Sequence, residues 1–332
     1  MQIAVDAMGG DFAPREAVLG ALEAVDSYNL EVILVGDEAT IRAELAGYPP
    51  HPGIKVCHAP EVIAMHEQPA VAVRKKRQSS IVVSVQLVKT GQASALVSAG
   101  HTGAAMAGAL LGLGRIGGVD RPAIASVLPG EKGGIVLLDA GANVDCKPYN
   151  LMQFAMMGSI YAEKIRGVAN PRVGLLSVGE EDCKGNELTL ATFPLLKGLD
   201  INFAGNVEGR DIFTNLVDVV VCDGFSGNIV LKMSEGLAGT LFRMLKTELK
   251  EKCAGQDLLP VIDELARRLD YAEYGGAPLL GVNGVVVISH GSSRAKAFKN
   301  AIRMAGESVD NGLVRALGAM MGKRCDEVSV DA

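Results

Sequence analysis

Seven short stretches carry most of the residues that could do chemistry. They are DAMGGD (6–11), SAGHTGA (98–104), DAGANVDCKP (139–148), SVGEEDCKGNE (177–187), AGNVEGRD (204–211), CDGFSGNIVLK (222–232) and SHGSS (289–293). Each follows a short apolar run. SAGHTGA, KGNE, GFSGN and HGSS place small residues and backbone N–H groups at a helix start, which is an anion cradle favoured by the helix dipole. Lys184, Arg210 and Lys232 add positive charge. Asn143, Asn186, Asn206 and Asn228 are neutral donors suited to a carbonyl or an oxyanion. His101 and His290 are candidates for proton transfer. The set suggests a phosphate and a polarised carbonyl, with no need for a metal.

Familiar alternatives fail on spacing. G-x-x-x-x-G-K-[ST] occurs nowhere, and no G-x-S-x-G elbow appears. In DAMGGD the glycines are adjacent and flanked by Asp6 and Asp11, so the turn is not the G-x-G-x-x-G of dinucleotide sites. Gly9 and Gly10 would let backbone approach a substrate. Asp11 either orients a cationic partner such as Lys184 or Arg210, or caps a helix that begins near Pro14.

The elements that must position these turns alternate. Apolar runs at 3–5, 31–37, 95–98, 124–128, 135–138, 173–177, 217–222 and 285–288 read as strands. Helical patterns lie between several of them, including 80–91, 102–113, 148–166 and about 227–252. Short buried strands alternating with helices mean a three-layer α/β/α fold with a mainly parallel sheet. Residues 122–128 and 134–139, joined by a turn at 129–133, read as a hairpin, so the sheet is expected to be mixed. Ligands bind at the carboxyl ends of strands in such sheets, and the turns together point to one composite site. No linker or repeat divides residues 1–332, which read as a single continuous unit that could be bilobed.

The bulk numbers narrow the class. The chain has 332 residues, 48% hydrophobic and 21% charged, with a net charge of −6, which argues against a general nucleic-acid binder. The six cysteines are scattered, which suits reduced thiols in a cytoplasmic protein. The first residues read as a strand rather than a leader, and no apolar run approaches the ~20 residues of a membrane span.

Taken together, these turns resemble the bacterial phosphate acyltransferases, the acyl-carrier-protein:phosphate acyltransferases of phospholipid synthesis. The likeness rests on DAMGGD, SAGxTGA, RPA at 121–123, DxGAN at 139–143, KGNE, GNxEGRD, CDGFxGN and GGAPLLG at 275–281. It covers essentially the whole chain. His101, where asparagine is expected, and Ser177-Val178-Gly179-Glu180 depart from the family pattern. The resemblance implies transfer of a long-chain acyl group from acyl carrier protein to phosphate, without a cofactor. It implies a fold like that of isopropylmalate dehydrogenase and phosphotransacetylase. It also implies a homodimer at the membrane surface, with a membrane glycerol-3-phosphate acyltransferase as acceptor of the product.

Under that resemblance Lys184 and Asn228 are the expected catalytic pair, one offsetting charge and one donating to the carbonyl oxygen. Gly9, Gly10, Asp11, His101, Thr102, Asn143, Arg210, Lys232 and His290 are the expected substrate contacts. The basic run Arg74-Lys75-Lys76-Arg77 is either a solvated helix N-terminal turn or a landing patch for an acidic carrier. In 257–270, Leu258, Leu259, Ile262 and Leu265 fall on one helical face. That stripe either packs on the core or a dimer partner, or touches membrane as part of a projecting helical hairpin tip at 253–276.

Overall fold

The computed structural model describes residues 1–131, 133–252, 264–265 and 275–328. In chain order its strands are β1 (Gln2–Asp6), β2 (Glu31–Gly36), β3 (Ile54–His58), β4 (Ala95–Ser98), β5 (Ala123–Gly130), β6 (Gly133–Leu138), β7 (Val173–Leu176), β8 (Phe203–Val207), β9 (Val219–Val221), β10 (Ala277–Leu280) and β11 (Val285–Ile288). The helices are α1 (Arg15–Ser27), α2 (Glu38–Leu45), α3 (Pro69–Lys75), α4 (Ser80–Lys89), α5 (Thr102–Gly112), α6 (Pro148–Lys164), α7 (Glu187–Lys197), α8 (Gly224–Lys252), α9 (Ala295–Asp310) and α10 (Leu313–Val328). A single 3₁₀ turn spans Gly209–Asp211.

All eleven strands join one sheet in the order β3-β2-β1-β4-β11-β10-β5-β6-β9-β7-β8. Strands β3 to β11 along this order are parallel to one another, and so are β6, β9, β7 and β8. Between the two blocks, β10 is antiparallel to both β11 and β5, and β5 is antiparallel to β6. The two parallel blocks therefore run in opposite directions. The mixed, mainly parallel sheet and the β5–β6 hairpin are as the sequence predicts.

Each block has its own core. Phe154, Tyr161 and Leu138 anchor one around α6, whose residues from Asn150 to Ala162 are all buried. Phe298, Val5 and Leu34 anchor the other. There α1 and α9 approach closely: a Cβ on Gly20 would stand 2.4 Å from the Phe298 Cβ. The short strands are Val-, Ile- and Leu-rich because both their faces are covered.

Several local outcomes differ from the sequence reading. α8 starts at Gly224 rather than near Gly227, because Asp223 caps it: the Ser226 N–H donates to Asp223 Oδ1 at 2.9 Å. The Arg74–Arg77 run is not at a helix N-terminus. Arg74 and Lys75 lie in the last turn of α3, where positive charge favours the dipole. Among the described residues no helix is long and apolar enough to cross a membrane. Of the expected hairpin tip, Leu258, Leu259 and Ile262 lie outside the described residues, while Leu265 is helical and exposed.

Candidate active site

Because the two blocks oppose each other, the seven polar turns separate into two groups. DAMGGD, SAGHTGA and SHGSS follow β1, β4 and β11. The other four follow β6, β7, β8 and β9. Both groups reach one groove that lies across the antiparallel strands β10 and β5 between the blocks. Its volume is about 940 Å³. Four turns contribute, through Thr102, Gly141, Asn228 and the Ser289-His290 pair. The composite site expected from all seven is thus narrower: DAMGGD, SVGEEDCKGNE and AGNVEGRD do not line the groove.

The polar residues are spread along the groove rather than gathered at one end: Asn228 and Gly141 stand level with Ile124 at the start of β5, whereas Ser289 and His290 follow Ile288, which lies level with Ser126 across β10. Asn228, in the first turns of α8, faces Gly141, whose absent Cβ would stand 3.5 Å from the Asn228 side chain. Gly141 has φ +130°, a conformation that favours glycine. The turn is organised by Asp139, which is fully buried. Its Oδ1 accepts from the N–H of Ile124 (3.0 Å), Gly141 (3.3 Å) and Ala142 (3.0 Å), and its Oδ2 from Asn143 N (2.6 Å) and Nδ2 (2.9 Å). Burial pushes the Asp139 carboxyl up, and these donors oppose the shift.

Asn143 also donates to the Pro122 carbonyl at 2.8 Å, and its own carbonyl accepts from Gly224 N at 2.7 Å. Its amide therefore builds the turn rather than reaching into the groove. Lys232 lines the groove and pairs with Glu235 at 2.9 Å.

α5 supplies the anion-facing helix start. Asn186 caps α7 by accepting from Thr189 N at 2.9 Å, Asp223 caps α8, and Glu16 accepts from Ala295 N at 2.8 Å at the start of α9. α5 has no such side-chain cap, and its first residue, Thr102, lines the groove. His290 stands nearby with Nδ1 accepting from Ser292 N at 3.2 Å, so Nε2 carries the ring proton. The Ser292 hydroxyl lies 2.7 Å from the same Nδ1.

The remaining expected residues lie elsewhere. Gly9 and Gly10 serve close packing of turns: a Cβ on Gly9 would be 2.6 Å from Gly100 N, and Gly10 (φ +96°) faces the Gly291 carbonyl. Asp11 N donates to that carbonyl at 2.8 Å. α1 has no side-chain cap, and Arg210 pairs with Glu208 (2.8 Å), Glu180 (3.6 Å) and Asp211 (3.9 Å). Neither role considered for Asp11 therefore appears among the described residues.

His101 places Nε2 3.2 Å from the Glu67 carbonyl, and its Nδ1 is buried without a partner among the described residues. It lines a second, smaller pocket of about 190 Å³ with Gly9, Gly10 and Asp6. Lys184 is exposed, has no ion pair among the described residues and does not line the groove. Ser177 Oγ donates to its carbonyl at 3.0 Å. The chain therefore does not bring Lys184 and Asn228 into one pocket.

What residue-by-residue inspection misses is the rest of the groove. Its apolar walls are Ile124, Leu128, Leu231, Phe242 and Leu245, with Phe213 near the hairpin tip. The available signal was α8 itself, whose apolar residues are too many for one buried stripe.

The chain is similar to known proteins over nearly its whole length. Residues 1–316 match the family described as "Fatty acid synthesis protein". The phosphate acyltransferase of Pelotomaculum thermopropionicum is 63% identical over 318 residues, covering 95% of this chain and 93% of that protein. A phosphate acyltransferase of Desulfitobacterium hafniense is 56% identical over 322 residues, covering 96% of each. In fold, the chain is similar to a phosphotransacetylase from Streptococcus pyogenes (TM-score 0.66, 19% identity, 93% of this chain and 94% of that one). It is also similar to 4-hydroxythreonine-4-phosphate dehydrogenase from Klebsiella pneumoniae (TM-score 0.54, 14% identity, 93% and 99%). With near-complete coverage at such identity, the chain belongs to the phosphate acyltransferase family of fatty acid synthesis proteins.

Proposed function

We propose that this acyltransferase moves a long-chain fatty acyl group from acyl carrier protein to inorganic phosphate, giving acyl phosphate for phospholipid synthesis. The observation that carries this is the groove, whose mostly apolar walls run along β5 and α8 and whose lining includes Thr102, Asn228, Lys232 and His290. A phosphate oxygen attacks the thioester carbonyl carbon. The tetrahedral adduct then collapses, the C–S bond breaks and the carrier leaves as thiolate, which takes a proton. A thiol of pKa ~8.5 leaves without strong acid help, so the protein's task is position and charge. In this reading Asn228 donates to the oxyanion, and Thr102 with the uncapped start of α5 holds phosphate. His290 Nε2–H and Lys232 complete the polar lining.

The test is to incubate the protein with a 16-carbon acyl carrier protein and phosphate, trapping acyl phosphate with hydroxylamine. Product that forms faster from acetyl coenzyme A would overturn the long-chain reading. Lys184 is proposed to attract phosphate from the neighbouring exposed loop. Because such a charge is screened, Lys184→Ala is expected to raise KM for phosphate about tenfold with a smaller loss in kcat. Unchanged kinetics in both parameters would remove it from the mechanism.

The carrier is proposed to land on α3. Lys76 is not available, since its Nζ donates to Glu67 at 2.6 Å and to the Val62 carbonyl at 2.8 Å. Arg74, Lys75 and Arg77 are exposed with no ion pair among the described residues. Gly103, in the first turn of α5, packs against Pro69 at the start of α3, so α3 adjoins the helix whose first residue lines the groove. Arg74→Glu with Arg77→Glu is expected to cut kcat/KM for acyl carrier protein about tenfold at low salt and far less at high salt. A defect that ignores salt would rule docking out.

A homodimer is proposed through α8, where Ile229, Met233, Leu237 and Leu241 are all at least half exposed at four-residue spacing and the last three also line the groove. Such a ridge suits packing against the same ridge of a second copy. Wild-type protein should sediment at twice the chain mass, and Met233→Asp with Leu237→Asp should shift it towards monomer. Weak peripheral membrane contact through Leu258, Leu259, Ile262 and Leu265 completes the proposal. It would keep a cytoplasmic enzyme near a membrane glycerol-3-phosphate acyltransferase that accepts its product. Liposome sedimentation unaffected by Leu258→Glu with Ile262→Glu would exclude it.

A further inference from the structure

We infer that the length of the acyl chain accepted is set at the far end of the groove, where the Phe213 ring and the Glu131 carboxylate stand at the tip of the β5–β6 hairpin. This rests on the transfer reading above. The groove has a fixed head and a fixed end. At the head, Ala140 N donates to the Ile124 carbonyl at 2.9 Å, and Gly141 faces Asn228. At the other end, Glu131 N donates to the Phe213 carbonyl at 3.2 Å. Both Phe213 and Glu131 line the groove.

β5 and α8 run side by side between these points. From Ile124 to Gly130 an extended chain covers about 20 Å. A zigzag of ~1.5 Å carbon–carbon bonds advances about 1.3 Å per carbon, so roughly sixteen carbons span that distance. The inward face of α8 carries Leu231, Ala238 and Phe242. Ala238 is the small residue among them, and it leaves the middle of the groove open. The tip is also held in place: a Cβ on Gly130 would meet the Gly133 carbonyl at 2.7 Å and Asn215 Oδ1 at 2.8 Å. A longer chain would push its terminal methylenes past Phe213 towards a carboxylate and water.

The experiment measures acyl phosphate formed from carrier proteins loaded with 10, 14, 16 and 18 carbons. Each methylene gained or lost from an apolar wall changes affinity roughly fourfold. Ala238→Phe, which fills the middle of the groove, is expected to lower the 16-to-10-carbon ratio of kcat/KM at least tenfold. Phe213→Ala is expected to raise the 18-to-16-carbon ratio about four- to tenfold. Phe213 is about one-third exposed, so its loss leaves no buried cavity. If both ratios stay at wild-type values while transfer proceeds, the ruler is wrong and the transfer reading stands. If wild-type protein makes no acyl phosphate at any length, the transfer reading falls and the ruler with it. Should Ala238→Phe be inactive throughout, an unshifted ratio in Phe213→Ala alone overturns the inference.

Discussion

Replacing Asn228 with alanine is expected to lower kcat by about 10²–10³ while KM for phosphate changes less than about threefold. The size follows from the role. A neutral amide aimed at a developing oxyanion contributes little to substrate binding and much to the transition state. The placement supports the role: Asn228 is on the first turns of α8, lines the groove and faces Gly141. Asn228→Asp should be worse than alanine, because it sets a negative charge beside one that is forming. Steady-state kinetics with acyl carrier protein and phosphate checks both variants. A large rise in KM with normal kcat would make Asn228 a binding residue only.

Asn228 was legible in the sequence because its neighbours are. CDGFSGN follows an apolar strand and opens a helix, and both features depend on local composition. The same holds for the β5–β6 hairpin, where apolar runs flank a Pro-Gly turn, and for α6, with proline at its start. β10 was harder. Its four residues APLL sit between glycines with positive φ at 275, 276 and 281, and a four-residue apolar run carries no periodicity. Yet β10, antiparallel to both neighbours, is the strand that separates the two parallel blocks. It leaves β11 and β5 parallel to each other, and the β5–β6 hairpin then reverses the second block, so the seven strand ends do not share one edge.

Position across the sheet, not strand direction, leaves Lys184 and Arg210 outside the groove. Arg210 and Lys184 are in turns of the expected type, but the β7 and β8 ends lie to one side of the β6 and β9 ends. Arg210 pairs with Glu208 and Asp211, its neighbours in the sequence, and with Glu180, which only the folded chain brings to it. Asn143 and Asn186 were read as donors to substrate. One builds a turn and the other accepts as a helix cap, and an amide's type cannot tell these uses apart. The apolar wall of the groove was hidden for a different reason. Leucines that line a pocket and leucines that fill a core have the same spacing on a helix, and only the absence of a packing partner over β5 distinguishes them.

Asp139→Asn is expected to lower Tm by about 5–10 °C and kcat about tenfold at temperatures where the variant stays folded. The argument starts from donors. Oδ1 takes the N–H groups of Ile124, Gly141 and Ala142, and Oδ2 takes Asn143 N and Nδ2. An asparagine has one acceptor oxygen. Whichever way its amide turns, an NH₂ faces N–H groups that have lost their acceptor. Each buried bond left unmade costs about 1–3 kcal/mol. Part of this is offset, because burial already disfavours the charged carboxylate and the amide is neutral. A net loss of roughly 2–4 kcal/mol remains, a large share of the 5–15 kcal/mol that stabilises a typical domain. The kinetic effect follows from position, since the turn that would loosen places Gly141 opposite Asn228 and holds Gly224 N at 2.7 Å from the Asn143 carbonyl. Calorimetry and kinetics on the same preparation separate the two claims. A Tm within about 1 °C of wild type would mean the donors find other acceptors, while a lower Tm with unchanged kcat would confine Asp139 to stability and leave Asn228 positioned by α8 alone.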